Sequence, residues 1–297
     1  MPTATPTPTP SFTPTPTPTS TATATKAPTA TRKPTQTPEP VEMPSPAKVI
    51  FQDNFDTGQF DNGVASRYHW NAPSLEVWGA KLDIVVDPTN SEDSSGRDRG
   101  FVMRVINDGD PVPIPGWTTD GYWRAAYPVW FYFNENLDGD VQMIKESAGM
   151  QVDAWIDPNI GTVSVIGGHR LSTKGDATSV AAIEVRFNTG VAVLARDGEG
   201  RDHRVDCREG LYQPGAWNTF TLIVDAETGR VLPFINGIFA LRSIEEAPKV
   251  PVDDVHPGSF SDAHAGVNCW SPTRKSYTNS GTTVLNDNFM VFTIEGW

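Results

Sequence analysis

The stretch GMQVDAWIDPNIG, residues 149–161, places polar side chains at every second position. If residues 150–157 form a β-strand, alternate side chains point to opposite faces of a sheet. One face is aliphatic and consists of Met150, Val152, Ala154 and Ile156. The other face combines an amide, two carboxylates and an indole: Gln151, Asp153, Trp155 and Asp157. The first set is a core face, and the second has the chemistry of a polar ligand-binding surface.

Other predicted strands carry comparable polar faces. Glu184 and Arg186 share a face of VAAIEVRFN, Trp130 lies in YWRAAYPVWFYF, and Arg104 stands among apolar residues in GFVMRVI. If these strands are neighbours, their polar sides combine with Gln151, Asp153 and Trp155. Aromatic rings that stack on sugar C–H faces, with amides, carboxylates and guanidinium groups for hydroxyls, bind glycans. The alternative is a solvated sheet face on which Asp153 and Glu184 pair with Arg186 and Arg104.

The same face could be catalytic. A retaining glycosidase needs two carboxylates about 5–5.5 Å apart, one acting as nucleophile and one as acid. Asp153 and Glu184 supply two carboxylates if their strands are neighbours. No spacing rule selects this pair, so the sequence leaves a binding surface and a hydrolase open.

The elements that must position these residues are strands. About a dozen segments rich in Val, Ile, Phe, Trp and Tyr are separated by Gly, Pro, Asn and Asp. One pair is joined by DAETGR, and the Asn-Gly of FINGIFA is typical of a type I′ hairpin turn. Helical periodicity is nearly absent. We therefore predict an all-β fold with two packed sheets, preceded by a linker.

Three segments resemble a known superfamily. They are VIFQDNFDTGQF, the hairpin GAWNTFTLIVDAETGRVLPFINGIFA and the closing LNDNFMVFTIEG. These resemble the concanavalin A-like lectin/glucanase superfamily, which includes laminin-G-like modules. The resemblance implies an antiparallel jelly-roll sandwich with one concave sheet. It also implies a structural Ca²⁺ between the first and last strands, for which Asp53, Asp56 and Asp287 supply hard oxygen ligands. Ordinary Asx turns are the alternative for these residues.

The resemblance also suggests two enzymatic activities. Laminarinase-like members carry Glu-x-Asp-x-x-Glu on one strand, and this chain has no such motif. Polysaccharide lyases of the alginate lyase type use an Arg, a Gln-Ile/Val-His strand and a late Tyr strand. The chain offers Arg104, and Gln151 and Tyr277 match the later residues in kind and order, with Tyr277 as the acid/base. No Arg-x-Glu-Leu-Arg surrounds Arg104, and the tyrosine motif is degraded. Asp153 replaces the histidine, and an aspartate beside a uronate carboxylate is repulsive.

The two parts of the chain differ in composition. Thr and Pro supply 25 of residues 1–38, so we predict a disordered Thr/Pro-rich linker over 1–47 and a jelly-roll domain over 48–297. Residues 1–48 carry +2, so the net charge of −13 leaves −15 for the rest. This acidity argues against nucleic acid and anionic membranes as partners and suits neutral ligands. No apolar run is long enough for membrane insertion.

The expected setting is extracellular. No signal peptide is visible in the sequence, yet a Thr-Pro spacer is typical of secreted or cell-surface proteins with other modules in a longer chain. In that setting the two cysteines, Cys207 and Cys269, predict one disulfide, with two separate thiols as the alternative. We expect a monomer.

The functional prediction is a secreted, polysaccharide-binding jelly-roll module. The predicted binding residues are Arg104, Trp130, Gln151, Trp155 and Arg186. The alternative is a glycoside hydrolase or polysaccharide lyase on the same fold, with Glu184, Asp153 and Tyr277 as its catalytic residues. A third possibility is a ligand-free structural module of a surface protein. No cofactor is expected beyond the calcium ion.

Overall fold

The structure is a computed structural model of the 297-residue chain. It describes residues 41–60, 68–71, 81–107, 112–113, 122–126, 129–132, 146–158, 163–171, 179–186, 190–197, 199, 201–251, 262–264, 267–271 and 282–295. The predicted linker over 1–47 lies outside these ranges except for its last residues. Of the described residues 41–47, Val41 packs against the core and the Ala47 N–H donates to the Thr293 carbonyl.

The described residues form β-strands and one short 3₁₀ helix, Ile244–Glu246. The strands are β1 Lys48–Asp53, β2 Tyr68–Asn71, β3 Lys81–Val86, β4 Phe101–Asn107, β5 Val112–Pro113, β6 Tyr122–Ala126, β7 Val129–Tyr132, β8 Ala148–Ile156, β9 Val163–Leu171, β10 Ser179–Arg186, β11 Gly190–Arg196, β12 Asp202–Asp206, β13 Trp217–Val224, β14 Val231–Ile235, β15 Ile238–Phe239, β16 Asp262–His264, β17 Val267–Ser271 and β18 Thr282–Thr293. No helix in these ranges is long and apolar enough to cross a membrane.

Two large antiparallel sheets make up the fold. Sheet A has the order β15-β14-β13-β8-β18-β4-β3, and β1 also pairs with β18. Sheet B has the order β12-β11-β10-β9-β16-β7-β2, and β17, β6 and β5 form a small third sheet. Strand β18 is 12 residues long and pairs with β8 along one side and with β4 and β1 along the other. It is therefore the central strand of sheet A.

The core lies between sheets A and B. On β8 the predicted aliphatic face, Met150, Val152, Ala154 and Ile156, is almost completely buried. It belongs to one hydrophobic cluster with Ile183 of β10 and other residues of sheet B. Burying these side chains on alternate strand positions leaves each sheet with a second face that points away from the core. This confirms the predicted all-β antiparallel jelly-roll sandwich.

The predicted β13–β14 hairpin and the turn after it are present. Asn236 and Gly237 both have positive φ angles, 52° and 76°, as a type I′ turn between β14 and β15 requires. The Asn236 side chain is also structural, because its Oδ1 accepts the Thr219 N–H at 2.9 Å and its amide donates to the Leu211 carbonyl at 2.9 Å. This turn is thereby fixed against the end of β13.

Candidate functional site

The outer face of sheet A, which points away from the core, carries the polar residues predicted on β8. Directly paired residues on neighbouring antiparallel strands point to the same side, so they form rows across the sheet. One row crosses four strands, and we call it the glutamine row: Gln52 of β1, Met290 of β18, Gln151 of β8 and Thr221 of β13. Thr221 Oγ1 donates to Gln151 Oε1 at 3.1 Å. This bond orients the Gln151 amide so that its NH₂ group faces away from Thr221.

A second row, the aspartate row, contains Asp287, Asp153 and Thr219. Between the two rows β18 advances by three residues while β8 advances by two, and the extra residue is a β-bulge. Asn288 adopts φ 50° there, and its Nδ2 donates to Asp153 Oδ2 at 2.9 Å. Thr219 Oγ1 donates to Asp153 Oδ1 at 2.5 Å. Both oxygens of Asp153 are therefore held by its neighbours.

A third row lies under the loop formed by residues 87–100. It contains Trp217, Trp155, Leu285, Arg104 and Asp83. Trp217 Nε1 donates to Thr89 Oγ1 of the loop at 2.9 Å. Trp155 Nε1 donates to the Gly215 carbonyl at 2.9 Å. Trp155, the indole predicted to stack on a sugar, is partly exposed, and its N–H is engaged with the backbone.

Arg99 connects the 87–100 loop to the aspartate row through hydrogen bonds. Its Nη1 donates to Asp153 Oδ2 at 3.0 Å and to Asp287 Oδ2 at 2.9 Å. Its guanidinium carbon lies 4.0 Å from the centre of the Trp217 ring, a cation–π contact. Arg99 and both carboxylates are buried. One Arg99 nitrogen therefore bridges two buried carboxylates, whose negative charges repel each other.

Asp287 is a carboxylate of this cluster whose pKa is clearly shifted. The pKa of Asp287 is raised to about 7, because burial and the nearby Asp153 charge outweigh the lowering effects of the Asn288 N–H and of Arg99 and Arg97. Asp287 thus holds a proton near neutrality beside a second carboxylate. The two Oδ2 atoms are within 2.9 and 3.0 Å of the same nitrogen, so they are at most 5.9 Å apart.

Arg97 lies between the residues predicted as calcium ligands. Its guanidinium donates to four side chains: Asp56 Oδ1 at 2.6 Å, Asp93 Oδ2 at 3.0 Å, Asn288 Oδ1 at 3.2 Å and Asp287 Oδ2 at 3.3 Å. The third predicted ligand, Asp53, is buried, and its Oδ1 accepts the Phe55 N–H at 2.8 Å. In the described part of the chain, no three His, Cys, Asp or Glu side chains are arranged to hold a metal ion. With Arg97 in place, these residues do not fit a bound Ca²⁺.

The glutamine row and the exposed edge of the aspartate row form the floor of a cleft of about 550 Å³. Its walls come from the 87–100 loop, the Asn236–Gly237 turn and the chain segment before β1. The lining residues are Met43, Gln52, Asp93, Ser94, Gln151, Asp153, Thr219, Asn236, Gly237, Asn288 and Met290. The cleft is thus rich in amides, carries two carboxylates and has methionine as its apolar component.

The structure separates several residues that the sequence was predicted to bring together. Asp153 lies on the outer face of sheet A, whereas Glu184 lies on the outer face of sheet B, because its neighbours Ile183 and Val185 point into the core. Glu184 Oε2 accepts from Arg204 Nε of β12 at 3.0 Å. The predicted combination of Asp153 with Glu184 is therefore wrong, since the whole core lies between them.

Other predicted binding residues have different positions. Arg104 is half-exposed and pairs with Asp83 of β3, so neither it nor Trp155 lines the cleft. Trp130 lies on β7 and Arg186 ends β10, both in sheet B, and their side chains are outside the described part of the structure. Tyr277, the predicted acid/base of a lyase, is outside the described residues. Of the predicted residues, Gln151 and Asp153 share the cleft.

The cysteines are not joined. Cys207 is a free thiol packed against the core, which overturns the predicted disulfide. It follows β12 at the edge of sheet B, whereas Cys269 is on β17 in the small third sheet. Burial raises the pKa of the Cys207 thiol to about 12, with a contribution from the neighbouring Asp206 charge.

Sequence reasoning missed the 87–100 loop. Its SEDSSGRDRG segment supplies Asp93, Arg97 and Arg99, and the two arginines alternate with Asp98 beside glycines. Two arginines in a Ser/Gly/Asp loop are unusual enough to have been a signal. The strand pattern, however, gave no reason to place this loop over sheet A.

Comparisons with known proteins assign no family. No protein-family model matches the chain, and no curated protein matches it. Among solved structures, the T. cruzi calreticulin globular domain is 8% identical with a TM-score of 0.49, over 83% of this chain and 88% of that one. A glycosyl hydrolase family protein from Mycobacterium fortuitum is 14% identical with a TM-score of 0.45, over 82% and 100%. The cellulose induced protein Cip1 is 14% identical with a TM-score of 0.45, over 81% and 96%. Similarities this low leave the function to be argued from the site.

Proposed function

We propose that this domain binds a neutral polysaccharide chain in the cleft on the outer face of sheet A. The observation that carries the proposal is the glutamine row, in which Gln52 and Gln151 flank Met290 on the cleft floor. Amide groups offer both donors and acceptors to sugar hydroxyls. A methionine side chain provides a polarizable apolar surface for the C–H face of a sugar ring.

The direction of the row suits a polymer. Neighbouring strands are about 4.8 Å apart, which is close to the length of one pyranose unit along a polysaccharide. A chain lying along the glutamine row would therefore present about one sugar ring to each strand. Asn288 and Asn236 border this path and add two further planar amides.

The charge of the cleft selects the class of glycan. Among the residues that the structure describes, its lining includes the carboxylates of Asp93 and Asp153 and no Lys or Arg. Arg97 and Arg99 lie close by, but both are engaged with aspartates. A uronic-acid polymer would bring further negative charge to an acidic site whose described residues include no free cation, so neutral polymers should bind in preference.

A second candidate is hydrolysis of the bound glycan by Asp153 and Asp287. Two observations favour it: the raised pKa of Asp287, and an oxygen separation of at most 5.9 Å, compatible with a retaining mechanism. Asp153 reaches the cleft, but Asp287 is fully buried and does not line it. Binding therefore ranks ahead of hydrolysis.

The test uses the full chain and a panel of neutral and uronic-acid polysaccharides, with retention in affinity electrophoresis and calorimetric Kd as readouts. We expect binding to at least one neutral polymer and weaker or no binding to uronates. Replacing both Gln52 and Gln151 by Ala should raise Kd about 5- to 160-fold, because each lost hydrogen bond contributes about 0.5–1.5 kcal/mol. Gln59→Ala, an exposed glutamine outside the cleft, is the matched control and should bind normally.

The same samples separate the alternatives. New reducing ends that disappear in Asp153→Asn, in a variant that still folds, would establish hydrolysis. Retention on no polymer at all would refute the binding proposal and favour a ligand-free structural module. Equal loss of affinity in the Gln59 control would show that the cleft is not the site.

We further propose that the protein acts outside the cell, with the Thr/Pro-rich segment as a tether between this domain and other modules. The composition of residues 1–38 supports this, since Pro- and Thr-rich sequences are typical of spacers between modules. Proteolysis of the intact secreted protein should cut first within this segment.

A further inference from the structure

Arg97 occupies a position where several oxygen atoms from separate parts of the chain converge. Asp56 follows β1, Asp93 belongs to the 87–100 loop, and Asp287 and Asn288 form the β-bulge of β18. These elements are far apart in sequence: Arg97 is 41 residues from Asp56 and 190 from Asp287. The guanidinium is therefore the common partner of the first strand, the loop and the last described strand.

The electrostatics of the cluster require a cation at this point. Three carboxylates and one amide oxygen surround one guanidinium, and Asp93 and Asp287 are buried whereas Asp56 is exposed. Burial opposes the Arg97 charge, but the hydrogen bond with Asp93 and the charges of Asp287 and Asp56 raise the pKa of Arg97 above its usual value. Without a positive charge, these carboxylates would repel one another in a partly dehydrated site.

The guanidinium geometry also explains why an arginine can serve here. Its three nitrogens point in different directions in one plane, so each can reach a different oxygen. Nε donates to Asp93, Nη1 to Asp56, and Nη2 to both Asp287 and Asn288. A Ca²⁺ ion would instead need its oxygen ligands at about 2.3–2.6 Å from one point.

We propose that the Arg97 side chain is the internal cation that joins the first and last strands, in the role that the superfamily resemblance assigns to a bound Ca²⁺. Within the described part of the chain, this cluster is consequently not a calcium site in the wild-type protein. Removal of the side chain leaves Asp56, Asp93, Asp287 and Asn288 around a space that a divalent cation can enter. This inference is independent of the proposed glycan binding.

The experiment measures the melting temperature of the full chain in EDTA and in about 10 mM CaCl₂. The wild-type protein should show the same value in both. Arg97→Ala should melt at a lower temperature in EDTA and gain about 3–10 °C in calcium. The calcium concentration is then about 10 to 100 times the Kd of about 10⁻⁴–10⁻³ M expected for an exposed site, and this excess stabilises the folded state. Arg97→Lys keeps a positive charge and should lose less and respond little to calcium.

Arg104→Ala is the matched control, since Arg104 is similarly exposed but forms its ion pair with Asp83, which is not a partner of Arg97. It should not respond to calcium. If Arg97→Ala is unfolded in EDTA, recovery of its circular dichroism on adding calcium is the readout. The proposal is overturned if calcium stabilises the wild type as much as Arg97→Ala, or if Arg97→Ala gains nothing from calcium.

Discussion

Arg99 provides the most demanding test of the electrostatic reasoning. Replacing it by Met keeps a side chain of similar length but removes the charge between Asp153 and Asp287. Both aspartates are buried, so they would lose their shared hydrogen-bond donor without gaining water. Removing one partner from a buried ion pair destabilises proteins by about 3–5 kcal/mol. Loss of the contact with Trp217 adds to this.

The pH dependence makes this prediction specific. Asp287 has a pKa of about 7, so at pH 5 it is largely protonated and carries no negative charge for Arg99 to compensate. The destabilisation by Arg99→Met should therefore be about 3–5 kcal/mol at pH 8 and smaller by at least about 1 kcal/mol at pH 5. A methionine side chain does not titrate, so its burial alone would change the free energy of unfolding equally at pH 8 and pH 5.

The assay is urea unfolding followed by tryptophan fluorescence at both pH values. Arg104→Met is the control, because the Arg104–Asp83 pair is exposed by 33% and 45% and should contribute at most about 1 kcal/mol. The Arg99 charge does not stabilise the two aspartates if Arg99→Met is no more destabilising than Arg104→Met at pH 8, or if its effect is the same at both pH values.

Three further predictions concern single groups. Burial and the nearby Asp153 charge raise the pKa of Asp287 in the folded protein from 3.8 to about 7. Relative to Asp287→Asn, the wild type should therefore have a stability contribution that is complete below pH 3.8 and is lost as the pH rises through 7. Urea titrations should show this loss at up to about 1.4 kcal/mol per pH unit. Gly149→Ala should destabilise by about 1–3 kcal/mol in the same assay, since its methyl group would overlap the Phe292 ring; adding Phe292→Leu should recover part of the loss. In a Cys269→Ser background, Cys207 should react with a thiol reagent at pH 8 at least about 100-fold more slowly in the folded protein than in urea, because its pKa is about 12.

The local patterns in the sequence were sufficient for the fold class. The alternation over residues 150–157 predicted the core face of β8 correctly, because a strand that buries one face cannot shift by one residue without exposing its apolar side chains. The Asn236–Gly237 turn was predictable for a similar reason, since few residue pairs accept two positive φ angles.

The site was only partly predictable. The common face of Gln151 and Asp153 was predicted, because it follows from the same alternation. Glu184 was combined with them wrongly, because alternation determines a strand's two faces but not the sheet to which the strand belongs. The roles of Arg97 and Arg99 depend on how the 87–100 loop folds back over sheet A, and that path is set by contacts with distant residues.

The central position of β18 has a consequence for biosynthesis. Sheet A is incomplete until this strand inserts between β8 and the strands β4 and β1, yet it follows every other described strand in the chain. Until residue 293 has left the ribosome, β8 and β4 retain unpaired backbone groups along edges that the finished domain conceals. A nascent chain of this protein should therefore depend on chaperones for most of its synthesis and acquire protease resistance in one late step.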